Sequence, residues 1–330
     1  MSDSTIVVSS RVRLARNYHD LPFSNLNNPA NAQLCIARAK QALDSVDPTE
    51  RYRLCMLREM SKVEQCALME SHLVSRDLLQ HSDVGAALIR GDETVSVMVN
   101  EEDHLRIQAM LSGLALGEAA ELAFDAEERL GAVCDFSFDG QLGYLTACPT
   151  NTGTGMRASL MLHLPLLTRG KQMGNVTQSV AKLGLTIRGI YGEGSEALGD
   201  LYQVSNQVTL GRTEDEIIEA VSAVGRQLID MEQALRERQA DSLPLEDAVL
   251  RSYGLLRYAK QMDASEFMQH WSNLRLGSAM GLLPVRLELA DALLADGQDA
   301  HAKKYKHANG QSVSTDQARC EIIQSALSQA

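Results

Sequence analysis

Three carboxylates stand in a row at Glu101, Glu102 and Asp103, with His104 and Arg106 just after them. Adjacent like charges repel, so a cation or a cationic substrate is expected to offset them, although an acidic turn after a strand is the plainer alternative. Arginines recur in other short polar segments. In Ser9-Ser10-Arg11-Val12-Arg13-Leu14-Ala15-Arg16 the period of two places Arg11 and Arg13 on the same side of a strand. Two planar guanidinium forks side by side suit a polyphosphate, since each offers bidentate donors; two solvated surface arginines would look the same in isolation. The segment Cys148-Pro149-Thr150-Asn151-Thr152-Gly153-Thr154-Gly155-Met156-Arg157 is a loop of small residues, and Gly153 and Gly155 would let the backbone approach a ligand closely. It lacks the Gly-Lys-Ser/Thr ending of a P-loop. Cys148 reads either as a small buried hydrophobe or as a thiolate stabilised by nearby positive charge. A fourth segment, Arg188-Gly189-Ile190-Tyr191-Gly192-Glu193-Gly194-Ser195-Glu196, sets an arginine and a carboxylate on a glycine-flanked turn, which is either a lid over a substrate or an ordinary surface loop.

The elements that must position these groups follow from periodicity. Residues 30–45, 58–80 and 114–130 read as helices. Ala86–Ile89 and Thr94–Val99, joined by Arg90-Gly91-Asp92-Glu93, read as a hairpin with Val95, Val97 and Val99 on one face. Continued at period two, that strand would line up Asn100, Glu102, His104, Arg106 and Gln108 against Leu105 and Ile107. A second hairpin is expected from Cys134, Phe136 and Phe138 through Asp139-Gly140 to Tyr144-Leu145-Thr146. Met156–Leu167 then reads as a helix, and Leu185–Gly194 as a strand and a glycine-rich turn. Thr213-Glu214-Asp215-Glu216 is a capping box ahead of a stripe at Ile217, Val221, Val224, Leu228, Met231 and Leu235, which reads as core and not as a dimer seam. Residues 238–246 look like a linker. Helices follow at 246–260, 264–274, 284–295 and 314–328, with His301–Gly310 as a basic loop. The expected fold is therefore α+β to residue 237, with an all-helical part at 238–330.

Composition sets outer bounds. The 330 residues are 45% hydrophobic, 22% charged and only 4% aromatic, so aliphatic and Met side chains must fill most of a sizeable core. A net charge of −12 disfavours nucleic acid and anionic membrane as partners and suits cationic proteins. The six cysteines form no CxxC pair, no apolar run reaches about 18 residues, and the N-terminus lacks a secretory pattern. A reducing, cytoplasmic setting is the expectation.

Together, and in this order, the four polar segments resemble the ATP:guanidino phosphotransferases, the creatine and arginine kinase superfamily, and most of all its bacterial protein arginine kinase branch (McsB type). The likeness runs from about Ile6 to Leu235 and includes Gly192–Gly211, ending in Val204-Ser205-Asn206-Gln207-Val208-Thr209-Leu210-Gly211. The fold it implies is a guanidino-kinase catalytic domain with an antiparallel sheet flanked by helices. By motif position, the resemblance implies that Arg11, Arg13, Arg106, Arg157 and Arg188 clamp the phosphates of ATP. Ser10, Ala158, Ser159 and Gly189 would flank the nucleotide, and His72 would touch it; a histidine at a core edge is the competing reading of His72. Glu101 would reach Mg²⁺ through water, no metal being held by protein groups alone. Glu102 and Glu193 would hold the substrate guanidinium beside Cys148. Only eight residues precede Ser9, which is expected to leave room for a protein-borne arginine. The branch usually carries an Arg-Asp-x-x-Arg-Ala motif that binds phosphoarginine; here the stretch is Thr315-Asp316-Gln317-Ala318-Arg319-Cys320, leaving Asp316 and Arg319 as candidates for such a pocket and a plain terminal helix as the alternative. The resemblance further implies Arg-rich protein substrates such as a transcriptional repressor, a zinc-binding activator protein, an AAA+ unfoldase–protease and a homodimer. Two other readings stay open: a small-molecule guanidino kinase, and a non-catalytic adaptor for phosphoarginine proteins. The adaptor would have no need of both Glu102 and Glu193.

Overall fold

The computed structural model describes residues 5–24, 28–44, 50–189, 197–310 and 312–329. Eight antiparallel strands form one sheet in the order β2-β3-β4-β5-β1-β8-β10-β9. They are β1 (Val7–Arg16), β2 (Tyr52–Met56), β3 (Ala86–Arg90), β4 (Val95–Val99), β5 (Leu105–Ser112), β8 (Met156–His163), β9 (Leu185–Gly189) and β10 (Leu201–Asn206). A small hairpin, β6 (Phe138–Asp139) and β7 (Gly143–Tyr144), stands apart.

One face of the sheet is apolar. Val12 and Leu14 of β1, Leu105 and Ile107 of β5, and Ala158, Leu160 and Leu162 of β8 pack under helices α1 (Pro29–Ala42), α4 (Leu116–Gly131), α6 (Met173–Ala181) and α7 (Glu214–Arg238). The stripe on α7 is core, as its spacing implies: Ile217, Val221, Val224 and Leu228 are buried, with Met231 and Leu235 at the margin. The predicted capping box at Thr213 and Glu216 is formed. The opposite face carries the polar groups and is covered only at its two ends. Helices α2 (Lys62–Glu70) and α3 (Arg76–Gln80) cover one end, over Cys55, Ala87, Ile89 and Met98. The other end meets helices α8 (Leu243–Tyr258), α9 (Ala264–Ala279), α10 (Leu287–Asp296), α11 (Asp299–Ala308) and α12 (Thr315–Ser328), gathered around Phe267 and Trp271 and reaching Val8, Met161 and Leu201 of the sheet. A short helix, α5 (Pro165–Arg169), packs against α7 and α9.

The structure departs from the periodicity reading in five places. Met156–Leu167 is not a helix: Met156–His163 is the strand between β1 and β10, with Met156, Ala158, Leu160 and Leu162 in the core alternating with Arg157, Ser159 and Met161 on the other face, a period of two that marks a strand. The 58–80 segment is two helices, because His72 takes a positive φ of 59° after α2 and Ser75 caps a new start. The strand ending at Val99 does not run on to Gln108; Asn100, at φ 60°, opens a turn, so only Arg106 and Gln108 share the expected polar face. The linker shrinks to 239–242, since α8 starts at Leu243 with Pro244 in its first turn. His301–Gly310 is not a loop but mostly helix α11, whose first N–H groups, at Ala300 and His301, donate to the Glu70 carboxylate at the end of α2 (2.8 and 3.0 Å). A cap supplied from the other end of the chain leaves no local trace in sequence.

Candidate active site

Strand register assembles the arginines. Arg13 faces Gln108 on one side and Arg157 on the other; Arg11 faces Met110 and Ser159; Arg188 faces Gln203. Cross-strand partners point to the same side of a sheet, so Arg11, Arg13, Arg106, Arg157 and Arg188 share the face opposite the helices. Arg11 Nη2 donates to Gln203 Oε1 (2.7 Å) and Arg157 Nη2 to Ser205 Oγ (3.1 Å). Arg106 Nη1 donates to Glu101 Oε1 (2.5 Å). Burial, and then the charges of Arg157 and Arg106, push Arg11 down to about 10. Burial and the same crowding, with Arg11 foremost, hold Arg13 well below the ordinary arginine range, and burial with Arg188 lowers Arg157. Arg13 Nε is buried and has no hydrogen-bond partner among the described residues. Cations massed at cost to themselves, with a donor still unused, fit a polyanionic ligand such as the phosphates of ATP.

His72 stands at the edge of this floor. Its carbonyl accepts from Gln108 Nε2 (2.7 Å), and burial together with Arg11 pushes its imidazole down to about 4. The ring is therefore neutral at physiological pH. A cavity of about 360 Å³ opens here, lined by Arg11, Arg13, His72 and Val74, and by Leu294 and Gln298 from the helical part.

The three consecutive carboxylates have three fates. Glu101 is buried and accepts from Arg106, from Ser75 Oγ and from the Glu102 N–H (3.3 Å). Asp103 is buried and accepts from Asn17 Nδ2 (2.6 Å) and from the Ala147 N–H (2.7 Å). Glu102 is left over: its side chain is 42% exposed and Arg106 Nη2 lies at 3.6 Å. Partial burial, then the neighbouring Asp103, raise its pKa above the ordinary carboxylate value. Asp103 also ties the turn to the backbone just ahead of Cys148. Thr146 Oγ1 donates to the Cys148 carbonyl (2.7 Å), and Cys148 Sγ lies 3.0 Å from Thr150 Oγ1. Glu102 and Ala147 line one cavity of about 760 Å³. Glu193 lies outside the described residues.

Several expected site residues stand elsewhere. Ser10 points to the helical face, where its Oγ donates to Gly113 O (2.7 Å) and accepts from Ala115 N (2.9 Å) at the start of α4. Ala158 is core; its N–H donates to Asn206 Oδ1 (2.9 Å). Ser159 does lie on the arginine face, and Gly189 ends β9 opposite Tyr202. Gly153 and Gly155 do not clear space for a ligand: a Cβ at Gly153 would sit 2.5 Å from Thr209 O, and one at Gly155 2.5 Å from Arg16 Nη1. Asp316 and Arg319 lie together at the start of α12, paired to each other. Arg319 is fully buried and donates to Gly297 O (2.6 Å), Met262 O (2.6 Å), Asp316 Oδ1 (2.8 Å) and Asp299, which ties α12 to the segments around it.

Sequence reasoning missed the groups that hold the site in place. Arg16 donates to Glu127 (2.6 Å) and to Thr154 O (3.0 Å), with its guanidinium 3.4 Å from the centre of the Tyr144 ring, clamping the loop that carries Cys148. Asn17 holds Asp103 and, through Oδ1, the His104 N–H (2.9 Å). A signal existed for Arg16: at period two from Arg11 and Arg13 it falls on the apolar side, where a charge needs a complete set of partners.

The comparisons with known proteins agree with this architecture. Residues 35–235 match the model for the ATP:guanido phosphotransferase C-terminal catalytic domain, and residues 242–330 match the model for the protein-arginine kinase McsB C-terminal domain. A protein-arginine kinase of Caldanaerobacter subterraneus subsp. tengcongensis is 44% identical over 92% of this chain and 91% of its own. That of Syntrophomonas wolfei subsp. wolfei is 41% identical over 99% of this chain and 92% of its own. The crystal structure of a lombricine kinase superposes with a TM-score of 0.62 at 27% identity, covering 71% of this chain and 68% of that one. With its catalytic and C-terminal modules both matched in this order, the chain belongs to the ATP:guanido phosphotransferase family, alongside the relatives named protein-arginine kinases.

Proposed function

We infer that the protein transfers the γ-phosphoryl group of ATP to the guanidinium group of arginine side chains in other proteins. The observation that carries this is the contrast on one sheet face: a floor of arginines short of anions, and beside it a carboxylate, Glu102, left free of strong partners. Phosphoryl transfer is chiefly positioning and charge neutralisation. Arg11, Arg13, Arg106, Arg157 and Arg188 supply fixed cations for the phosphate oxygens. Neutral His72 offers an uncharged ring beside them, suited to the nucleoside. A bound Mg²⁺ would add charge neutralisation at the phosphates; Glu101, already engaged by Arg106 and Ser75, would meet it only through water.

The acceptor guanidinium is a poor nucleophile because it stays protonated and its lone pairs are delocalised. Glu102 orients it and takes its proton as the N–P bond forms, and its raised pKa makes it a better base than an ordinary carboxylate. Glu193 is proposed as the second carboxylate and Cys148 as the neighbouring thiol. A homodimer, a zinc-binding activator protein, an AAA+ unfoldase–protease, a transcriptional repressor as substrate and a cytoplasmic setting belong to the same proposal and rest on the family likeness. The likeness in fold to a lombricine kinase supports a second reading, a small-molecule guanidino kinase.

Incubation with MgATP and casein, beside free arginine, separates the two, with acid-labile phosphate on arginine read by mass spectrometry. Phosphoarginine on casein, lost in Glu102→Gln, is the expected result. That substitution should lower kcat by about 10²–10⁴-fold with little change in ATP affinity. Transfer to free arginine alone would make the protein a small-molecule kinase.

A further inference from the structure

The cavity of about 760 Å³ beside Glu102 has a lining rich in carboxylates. It contains the carboxylates of Asp77, Asp83, Glu101 and Glu102 and no lysine or arginine. Glu101 is neutralised by Arg106, whereas Asp77 and Asp83 are exposed and appear in no ion pair among the described residues. Asp77 is near enough to Glu102 to help raise its pKa. A second, independent feature lies in the wall. Asn100 is only 3% exposed and its amide nitrogen donates to Ala32 O (3.0 Å) and Val84 O (3.1 Å). Its Oδ1 has no hydrogen-bond partner among the described residues, and neither has Ser24 Oγ in the same wall. A buried acceptor without a donor is costly unless a ligand or water supplies one. With His81 as its one basic side chain against four carboxylates, the cavity is acidic, the reverse of the arginine floor.

We propose that this cavity seats the substrate residues next to the target arginine and selects a second basic side chain there, with Asp77 and Asp83 as specificity determinants and Asn100 as an acceptor in the wall. The proposal rests on the protein-arginine kinase reading. It goes further by naming the local substrate chemistry: an arginine flanked within two residues by lysine or another arginine. A cationic neighbour gains two carboxylates in a partly enclosed space, whereas an acidic neighbour meets like charge. Such contacts act mainly on binding and encounter, so they belong in KM and in its salt dependence.

Three peptides identical except at the positions flanking one arginine, carrying Lys, Ala or Glu there, test this on the full-length enzyme and on Asp77→Asn/Asp83→Asn. The wild type should prefer the Lys peptide over the Ala peptide by about five- to tenfold in kcat/KM at low salt, chiefly through KM, and should disfavour the Glu peptide. The double variant should lose that preference, with any change in kcat equal for the three peptides and its KM for ATP unchanged. Equal use of the three peptides by the wild type, or an unchanged preference in the variant, would overturn the selection while leaving the kinase reading in place. Phosphorylation of none of the peptides, with free arginine still turned over, would bring down both.

Discussion

Arginines are withdrawn from solvent, wholly or in part, both in the helical part and on the open sheet face, and they are handled in opposite ways. In the helical part and where it meets the sheet, each has a full set of acceptors. Arg236 lies against Glu232 (3.3 Å), Arg275 against Asp291 (2.6 Å), and Arg319 against Asp316 (2.8 Å), Asp299 and two carbonyls. On the open sheet face Arg11, Arg13 and Arg157 face neutral groups and one another; burial first and then mutual repulsion lower their pKa values, whereas the effect of burial on Arg236 is opposed by Glu232. Charges that stabilise the fold arrive with their counter-charges; charges placed for a ligand wait for it at some expense to the empty protein. Arg319, a candidate for a ligand motif in sequence, holds helices together in this structure.

The comparison can be broken most directly at Arg319. Arg319→Met would strand the carbonyls of Gly297 and Met262 and should cost about 3 kcal/mol of stability by denaturant unfolding. Arg13→Met should leave the unfolding midpoint unchanged or slightly raised, since it relieves repulsion, yet lower kcat/KM by about a hundredfold, near 2.7 kcal/mol. A destabilised Arg13→Met with normal activity would erase the distinction. ATP should sharpen it further: at about 100 times its Kd it should stabilise the wild type by about 2.7 kcal/mol in thermal unfolding, and Arg13→Met much less at the same concentration. The smallest effect is on pH. His72 is held down at about 4 by burial and Arg11, and His104 and His163 are also lowered by burial. The unfolded chain therefore binds more protons than the folded one in this range, and the stability present above pH 6.5 should be lost as pH falls toward 4. His72→Asn should flatten that slope, as read from urea midpoints across the range.

Much of the site is legible in the sequence because its information is local. The spacing of Arg11 and Arg13 on a strand puts both guanidiniums on one face, and the structure keeps them there. The hairpin at Ala86–Val99 and the α7 stripe also follow from short-range period. Reading failed where long-range contact decides. The helix over Asp299–Ala308 starts on Glu70, and the two glycines ahead of Arg157 answer to Arg16 and Thr209.

The sequence by itself determined which residue types could bind phosphate and guanidinium, and the alternation that sends them to a common side. Only the tertiary structure decided which charges are matched. Glu101, Glu102 and Asp103 are chemically near-equivalent neighbours, yet Arg106 neutralises the first while Ser75 donates to it, Asn17 and Ala147 hold the third, and the second is left facing a cavity. A carboxylate's role depends on what lies within a few ångströms of it, and those partners come from distant parts of the chain.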